Sequence, residues 1–347
     1  MRYIGSKAAI VDQIARAIQP RRNGYASLCD PFAGTCTVAR YFKALGLRVI
    51  TGDVLRQSYI LQSAYVQLSR PPKFRRLLAF LDQQTPHSAP NSAQSVLDYL
   101  NGLPEKNGFI TQQYSPGGPG GRLFFTASNA RRIDRIRYTL DHWKHSDLLD
   151  SSEEAYLLAA LLEASDRVAN TAGTYYAYLK TFYRKALRGL VLQPPYIFGN
   201  GRRNRANQTD AVQLVKNSQT DILYLDPPYN ERDYGAYYHL TETLALGDKP
   251  QVHGTSGMPH CRPAKSPFCC RDTALTTLSQ ILGAARTRCL AFHYSSNGLL
   301  PHAVILRLLR DRGPTTWSTI NVRRYSSRAH APPHAPTATR LYVCRVR

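Results

Sequence analysis

An α/β fold with a parallel sheet, interrupted by a mostly helical insertion, is predicted by three observations. First, the apolar run Ile222-Leu223-Tyr224-Leu225 stops at Asp226-Pro227-Pro228-Tyr229. Prolines cannot continue a central strand, so the run reads as a buried strand with polar residues just past its carboxyl end. Second, residues 27–53 read as strand, small-residue turn, helix and strand, the repeating unit of a doubly wound, Rossmann-like sheet. Third, this alternation gives way between about residues 71 and 205 to helical spacing with Gly-, Pro- and Ser-rich linkers, and strand-like runs then return.

Each element has its own reason. Ala26-Ser27-Leu28-Cys29 is short and apolar and runs into Asp30-Pro31-Phe32-Ala33-Gly34-Thr35-Cys36-Thr37. Val38, Phe42 and Leu45 share a helical face, and Gly46 supplies the stop. Residues 48–53 form a second strand ending in Asp53. Helices are predicted at 74–84, 93–101, 129–142 and 152–169. The glycine-rich stretch 115–121 is a loop, and 170–176 is a turn leading into a short hairpin or extended arm. Strands follow at 222–225, 289–294, 319–325 and 341–345, with a helix at 301–312. The proline-rich stretch 248–271 reads as a mobile surface loop.

Composition narrows the class of function. The 347 residues carry 45 Lys and Arg against 23 Asp and Glu, a formal charge of +22. Such a balance calls for a polyanionic partner. No run of about 18 apolar residues occurs, so no membrane span is expected and nucleic acid is preferred over lipid. The 22 tyrosines, interleaved with arginine, suit stacking on bases. Seven scattered cysteines include an adjacent pair, Cys269-Cys270, and no Cys-x-x-Cys. That pattern fits no common zinc spacing, so no metal is expected. With no secretory leader at Met1-Arg2-Tyr3-Ile4, a reducing cytoplasm is the expected compartment.

The chemistry lies at the strand ends, where open α/β sheets bind ligands. An acid, two prolines and a tyrosine make a stiff loop in which Asp226 can accept a hydrogen bond from an amino group and Tyr229 can stack on a flat base. Gly34 lets the backbone of the first turn approach a ligand, although a full Gly-x-Gly-x-x-Gly is missing. Asp30 suits the amino group of a methionine moiety, and Asp53 suits ribose hydroxyls.

On these motifs the chain resembles the α-group, Dam-like, adenine-specific DNA methyltransferases of restriction–modification systems. The resemblance is carried by Arg2-Tyr3-Ile4-Gly5-Ser6-Lys7, the Asp30-Pro-Phe-Ala-Gly turn, Asn129-Ala-Arg-Arg-Ile-Asp, Arg167-Val-Ala-Asn-Thr-Ala-Gly, Asp226-Pro-Pro-Tyr and Tyr294-Ser-Ser-Asn-Gly-Leu-Leu. It implies a Rossmann-like core dependent on S-adenosylmethionine (AdoMet). Residues 1–70 would hold the AdoMet-binding part, 71–205 a helical target-recognition insertion, and 206–347 the catalytic part. It further implies that Tyr3 and Lys7 reach the methionine end of AdoMet. Asp30, Phe32 and Gly34 would form the main pocket, Asp53 would take the ribose, and Asp210 would lie near the adenine of the cofactor. Asp226, Pro227, Pro228 and Tyr229 would hold a target base flipped out of the duplex. The family pattern has a second glycine where this chain has Cys36. A positive φ there would cost about 1 kcal/mol.

Three basic clusters are the candidate DNA contacts: Arg131, Arg132 and Arg135 on one predicted helix, Arg202 and Arg203 beyond it, and Arg324 with its neighbours. The partners implied are double-stranded DNA and a cognate restriction endonuclease. A monomer is expected, cytoplasmic and held at the nucleoid by its DNA. Two other readings stay open: methylation of RNA adenine or of the cytosine amine, and a basic nucleic-acid-binding protein whose cofactor site has decayed.

Overall fold

The computed structural model describes residues 5–84, 92–261, 265–322 and 337–347. The chain divides into two compact units. One comprises residues 4–62, 199–234 and 263–347, and the other residues 1–3, 63–198 and 235–262.

The first unit is the α/β core. Its strands are β1 (Ser27–Asp30), β2 (Arg48–Asp53), β3 (Arg205–Gln208) and β4 (Ile222–Leu225). After β5 (Val252–His253) and β6 (Met258–Pro259), which belong to the other unit, come β7 (Cys289–Ser295), β8 (Thr315–Val322) and β9 (Thr337–Arg345). They form one sheet in the order β3-β2-β1-β4-β7-β9-β8. Neighbours from β3 to β7 are parallel, and β9 runs antiparallel between β7 and β8. Every residue of β1, β4 and β7 is buried. This is the mark of a sheet covered on both faces and explains the continuous apolar runs. Leu223, Leu225, Leu290 and Phe292 join Leu214, Ala274, Leu278, Ile281, Ile305 and Leu309 of three covering helices in one core cluster. From β1 the chain winds through β2 to β3, then returns to place β4 on the other side of β1. The carboxyl ends of β1 and β4 therefore lie at the switch point where such sheets bind ligands.

At the opposite end of these strands, Asp221 accepts hydrogen bonds from the Ala26 amide (2.9 Å) and the Ser27 hydroxyl (2.8 Å) and pairs with Arg288 at 3.3 Å. This knot ties β1 to β4 across 194 residues of sequence. Burial opposes the charge, yet those donors and Arg288 hold the Asp221 carboxyl below its ordinary range.

The second unit is mostly helical. Its helices include Arg75–Gln84, Ala93–Gly102, Phe109–Tyr114, Ala127–His145, Ser151–Val168 and His239–Leu246. In Ser151–Val168 every residue from Ala155 to Leu162 is buried, and the helix forms the unit's buried axis. Asp150 starts it with a reciprocal capping box to Glu153.

Two sequence expectations are corrected here. Of the hairpin or extended arm expected after the turn at 170–176, the hairpin is absent: residues 169–204 contain neither hairpin nor strand. Their backbone is satisfied instead by asparagine side chains. Within this unit, Asn101 both donates to and accepts from Leu192 (3.1 and 2.8 Å). Asn129 donates to the Ala186 and Arg188 carbonyls and accepts from the Leu190 amide. Asn170 donates to the Leu123 and Leu179 carbonyls and accepts from the Tyr183 amide. The stretch 248–271 is also not all loop among its described residues. It contains the β5–β6 hairpin, whose Gly257 carbonyl accepts from the Tyr114 hydroxyl at 2.8 Å and whose Gly254 and Thr255 carbonyls accept from Arg122. Among the described residues no helix is long and apolar enough to cross a membrane.

Candidate active site

The segments that follow β1, β2, β3, β4 and β7 at the carboxyl ends of these strands carry the site. The turn after β1 begins at Asp30, which is 2% exposed and accepts a hydrogen bond from the Phe32 amide at 3.3 Å. The Gly34 amide, within the turn, donates to the Asp53 carboxyl at 3.1 Å, and the Leu55 amide donates to its other oxygen at 3.0 Å. Asp53 thus joins the ends of β1 and β2 through backbone amides. The turn closes on Cys36, which caps the following helix at φ +65°. The left-handed conformation foreseen at that position is real, and the buried cysteine adopts it.

The loop after β4 presents Asp226. Its Oδ2 pairs with the Lys7 ammonium at 2.5 Å, and Lys7 also donates to the Gly5 carbonyl. The motif near the start of the chain and the Asp-Pro-Pro-Tyr loop therefore meet. Tyr229 stands edge-on to Tyr294, with ring centroids 6.2 Å apart, and its carbonyl accepts from the Leu299 amide. Gly298 is required beside them: a Cβ there would lie 2.2 Å from the Tyr294 ring. Phe32 packs edge-to-face on Phe268 at 5.4 Å. Asp210, at the carboxyl end of β3, caps the next helix by accepting from the Gln213 amide. Tyr3 and Arg324 lie outside the described residues.

The electrostatics of this cluster are those of a site short of positive charge. Burial, reinforced by neighbouring Asp226, pushes Asp30 up to about 8. Burial raises Asp226 as well, against the pull of Lys7. Asp53 is pushed up to about 6 by burial, opposed by its backbone donors. A ligand carrying its own cationic groups would relieve these carboxyls. The sulfonium and ammonium of AdoMet match that need, so the residues present fit this cofactor. Among the described residues no His, Cys, Asp or Glu cluster could hold a metal ion.

The arginines expected to touch DNA divide into two groups. Arg131 pairs with Glu105, Arg132 donates to the Leu190 and Asn101 carbonyls, and Arg135 donates to the Pro104 carbonyl. All three order the linkers of the helical unit. Arg202 and Arg203 are exposed. Sequence reasoning missed a stronger basic feature: no Asp or Glu occurs between Arg167 and Thr209, a span with eight Lys and Arg. Within its helical-unit part, Tyr176, Tyr183, Leu187 and Tyr196 are exposed alongside Lys180, Arg184 and Arg188.

Residues 3–277 match the family model described as D12 class N6 adenine-specific DNA methyltransferase. Over 332 residues the chain is 36% identical to the Type II methyltransferase M.FokI of Planomicrobium okeanokoites, covering 94% of this chain and 50% of that protein. It is 31% identical to the modification methylase StsI of Streptococcus sanguinis, again covering 94% of this chain and 49% of that protein. The chain thus spans about half the length of these two relatives. The match to the Type II methyltransferase M.NlaIII of Neisseria lactamica is 32% identical and covers 94% of this chain and 93% of that protein.

Proposed function

Because the chain belongs to the D12 class of N6 adenine-specific DNA methyltransferases, we propose that it methylates the N6 amine of adenine at a specific site in double-stranded DNA, using AdoMet, as the modification enzyme of a restriction–modification system. The observation that carries this reading is the Asp226 carboxyl. It ends the central strand β4, has one oxygen held by Lys7, and shares its surroundings with the buried Asp30.

Asp30, Phe32 and Gly34 would hold the methionine end of the cofactor together with Lys7 and Tyr3. Asp53 would take the ribose, and Asp210 would lie toward the adenine ring. When bound, AdoMet supplies an electrophilic methyl group on a sulfonium. The protein's task is then to prepare the amine. An adenine amino nitrogen has its lone pair delocalised into the ring and is a weak nucleophile. Asp226 and the Pro227 carbonyl accept its two N–H bonds, which favours a more tetrahedral nitrogen with its lone pair directed outward. Pro228 stiffens the loop and Tyr229 stacks on the flipped base. Positioning, more than acid–base chemistry, is what these groups contribute. Arg202, Arg203, Arg324 and the acid-free stretch around Arg184 are proposed to meet the phosphates, with whatever donors Arg131, Arg132 and Arg135 keep available. We expect a monomer at the nucleoid, paired in the cell with an endonuclease of the same specificity.

The test is incubation with labelled AdoMet and unmethylated genomic DNA, followed by nucleoside analysis, with Asp226→Ala alongside. N6-methyladenine from the wild type alone is expected. Methylcytosine, or label entering RNA instead, would replace the adenine-in-DNA reading. No transfer despite DNA binding would overturn catalysis.

A further inference from the structure

Behind Asp226 the core contains a row of polar groups in otherwise apolar surroundings. The register of β4 against β7 runs from Ile222 opposite Cys289 to Leu225 opposite Phe292. One step further sets His293 across from Asp226, and His293 Nδ1 lies 3.9 Å from Asp226 Oδ1. His293 is 1% exposed. Its Nδ1 is 3.3 Å from the hydroxyl of buried Tyr224, and its Nε2 is 2.8 Å from the Thr339 hydroxyl on β9. Thr339 in turn donates to the Ile320 carbonyl on β8 at 3.1 Å. The row crosses four adjacent strands, β4, β7, β9 and β8.

Donor logic fixes its direction. The Ile320 carbonyl can only accept, so the Thr339 proton points to it and the Thr339 oxygen accepts from His293 Nε2–H. The imidazole carries its single proton on Nε2, and Nδ1 accepts from the Tyr224 hydroxyl. Burial, with Lys7 nearby, keeps the ring neutral. A buried polar row is costly unless every member is bonded. Here each is, and the row ends beside the acid that the proposed reaction needs.

We propose that His293 is a positioning residue for Asp226: Tyr224 and Thr339 lock its Nε2–H tautomer, so it backs the carboxylate without bonding to it. Lys7 then holds Oδ2, and Oδ1 stays open to accept from the target amine. In the other tautomer Nδ1–H would face Oδ1 and compete with that amine. The inference rests on the methyl-transfer reading above and goes beyond it by assigning three residues outside the Asp-Pro-Pro-Tyr loop.

The test uses two near-isosteric variants, Tyr224→Phe and Thr339→Val, each of which removes one end of the lock. Single-turnover methylation, AdoMet affinity and the imidazole ¹⁵N spectrum would be measured on both and on the wild type. The wild type should show neutral His293 protonated on Nε2. Both variants should shift His293 toward the Nδ1–H form and lose roughly tenfold or more in single-turnover rate, with AdoMet affinity unchanged. Full turnover in both variants, in a wild type that methylates adenine, would overturn the inference alone. So would a loss that follows AdoMet affinity or melting temperature, which would make the row merely structural. A wild type that transfers no methyl group would remove the underlying reading and this role with it, even if the spectrum showed the Nε2–H tautomer.

Discussion

Cys36 holds φ +65° with its thiol fully buried. An L side chain in this region strains against its own carbonyl by about 1 kcal/mol or more. At an ordinary helix position glycine is less stable than alanine. Here the order should reverse, with Cys36→Gly about 1 kcal/mol more stable than Cys36→Ala. Urea unfolding of the two variants would measure this, and equal midpoints would mean the turn relaxes around the side chain. Asp30 makes a second prediction through pH. Its folded value of about 8 lies above the ordinary 3.8, so the folded chain holds this proton more tightly than the unfolded one. The stability it contributes is complete below about pH 4 and is lost as pH rises through about 8. Melting temperatures from pH 5 to pH 9 should therefore fall more steeply for the wild type than for Asp30→Asn. The cofactor's positive charge should expel the same proton, so calorimetry in buffers of different ionisation enthalpy should detect proton release on AdoMet binding near neutral pH.

Elements differ in how plainly the sequence announces them. The strand before Asp226 was legible because its residues are apolar on both faces and two prolines end it. The turn at Asp30 and the strand ending in Asp53 were legible from motif, whereas the pairing of Lys7 with Asp226 was not, because the motif near the start of the chain points only toward the cofactor. His293 was not, because it sits within β7, every residue of which is buried, and only the sheet register sets it opposite Asp226. The helix His239–Leu246 was missed because it buries His239, Thr241, Glu242 and Thr243 and so lacks an apolar stripe. The choice between a hairpin and an extended arm after residues 170–176 was not legible, because the bonding partners of this stretch are asparagine amides, which leave no periodic pattern. The asparagine of the Asn129-Ala-Arg-Arg-Ile-Asp motif is one of them, and the motif's Asp134 caps the helix Phe109–Tyr114 through the Ile110 and Thr111 amides. Asn129→Ala leaves three backbone groups without partners and should destabilise the protein by about 2–3 kcal/mol. Hydrogen exchange at the Leu190 amide should accelerate most, and unchanged protection there would contradict the clamp.

For the whole molecule the dominant quantity is a charge of +22. If six to ten phosphates are contacted, DNA affinity should fall by about 10³–10⁵ between 50 and 200 mM salt. Replacing exposed Arg184 and Arg188 together should flatten the slope of log affinity against log salt, whereas replacing Arg135, which is bonded to the Pro104 carbonyl, should act mainly on stability. A slope unchanged in the Arg184/Arg188 variant would move the DNA surface elsewhere.

The sheet order also sets a timetable for folding. β1 pairs with β4 across nearly two hundred residues, and β9, the last strand in sequence, is inserted between β7 and β8. During synthesis the helical unit's main segment, 63–198, emerges before β4 exists to complete the centre of the sheet. Until residue 345 leaves the ribosome, β7 and β8 each present an open edge to neighbouring chains. Such non-local pairing makes folding slow and exposes a growing chain to aggregation. Yield of active protein should therefore respond more to growth temperature and chaperone supply than the stability of the finished fold would suggest.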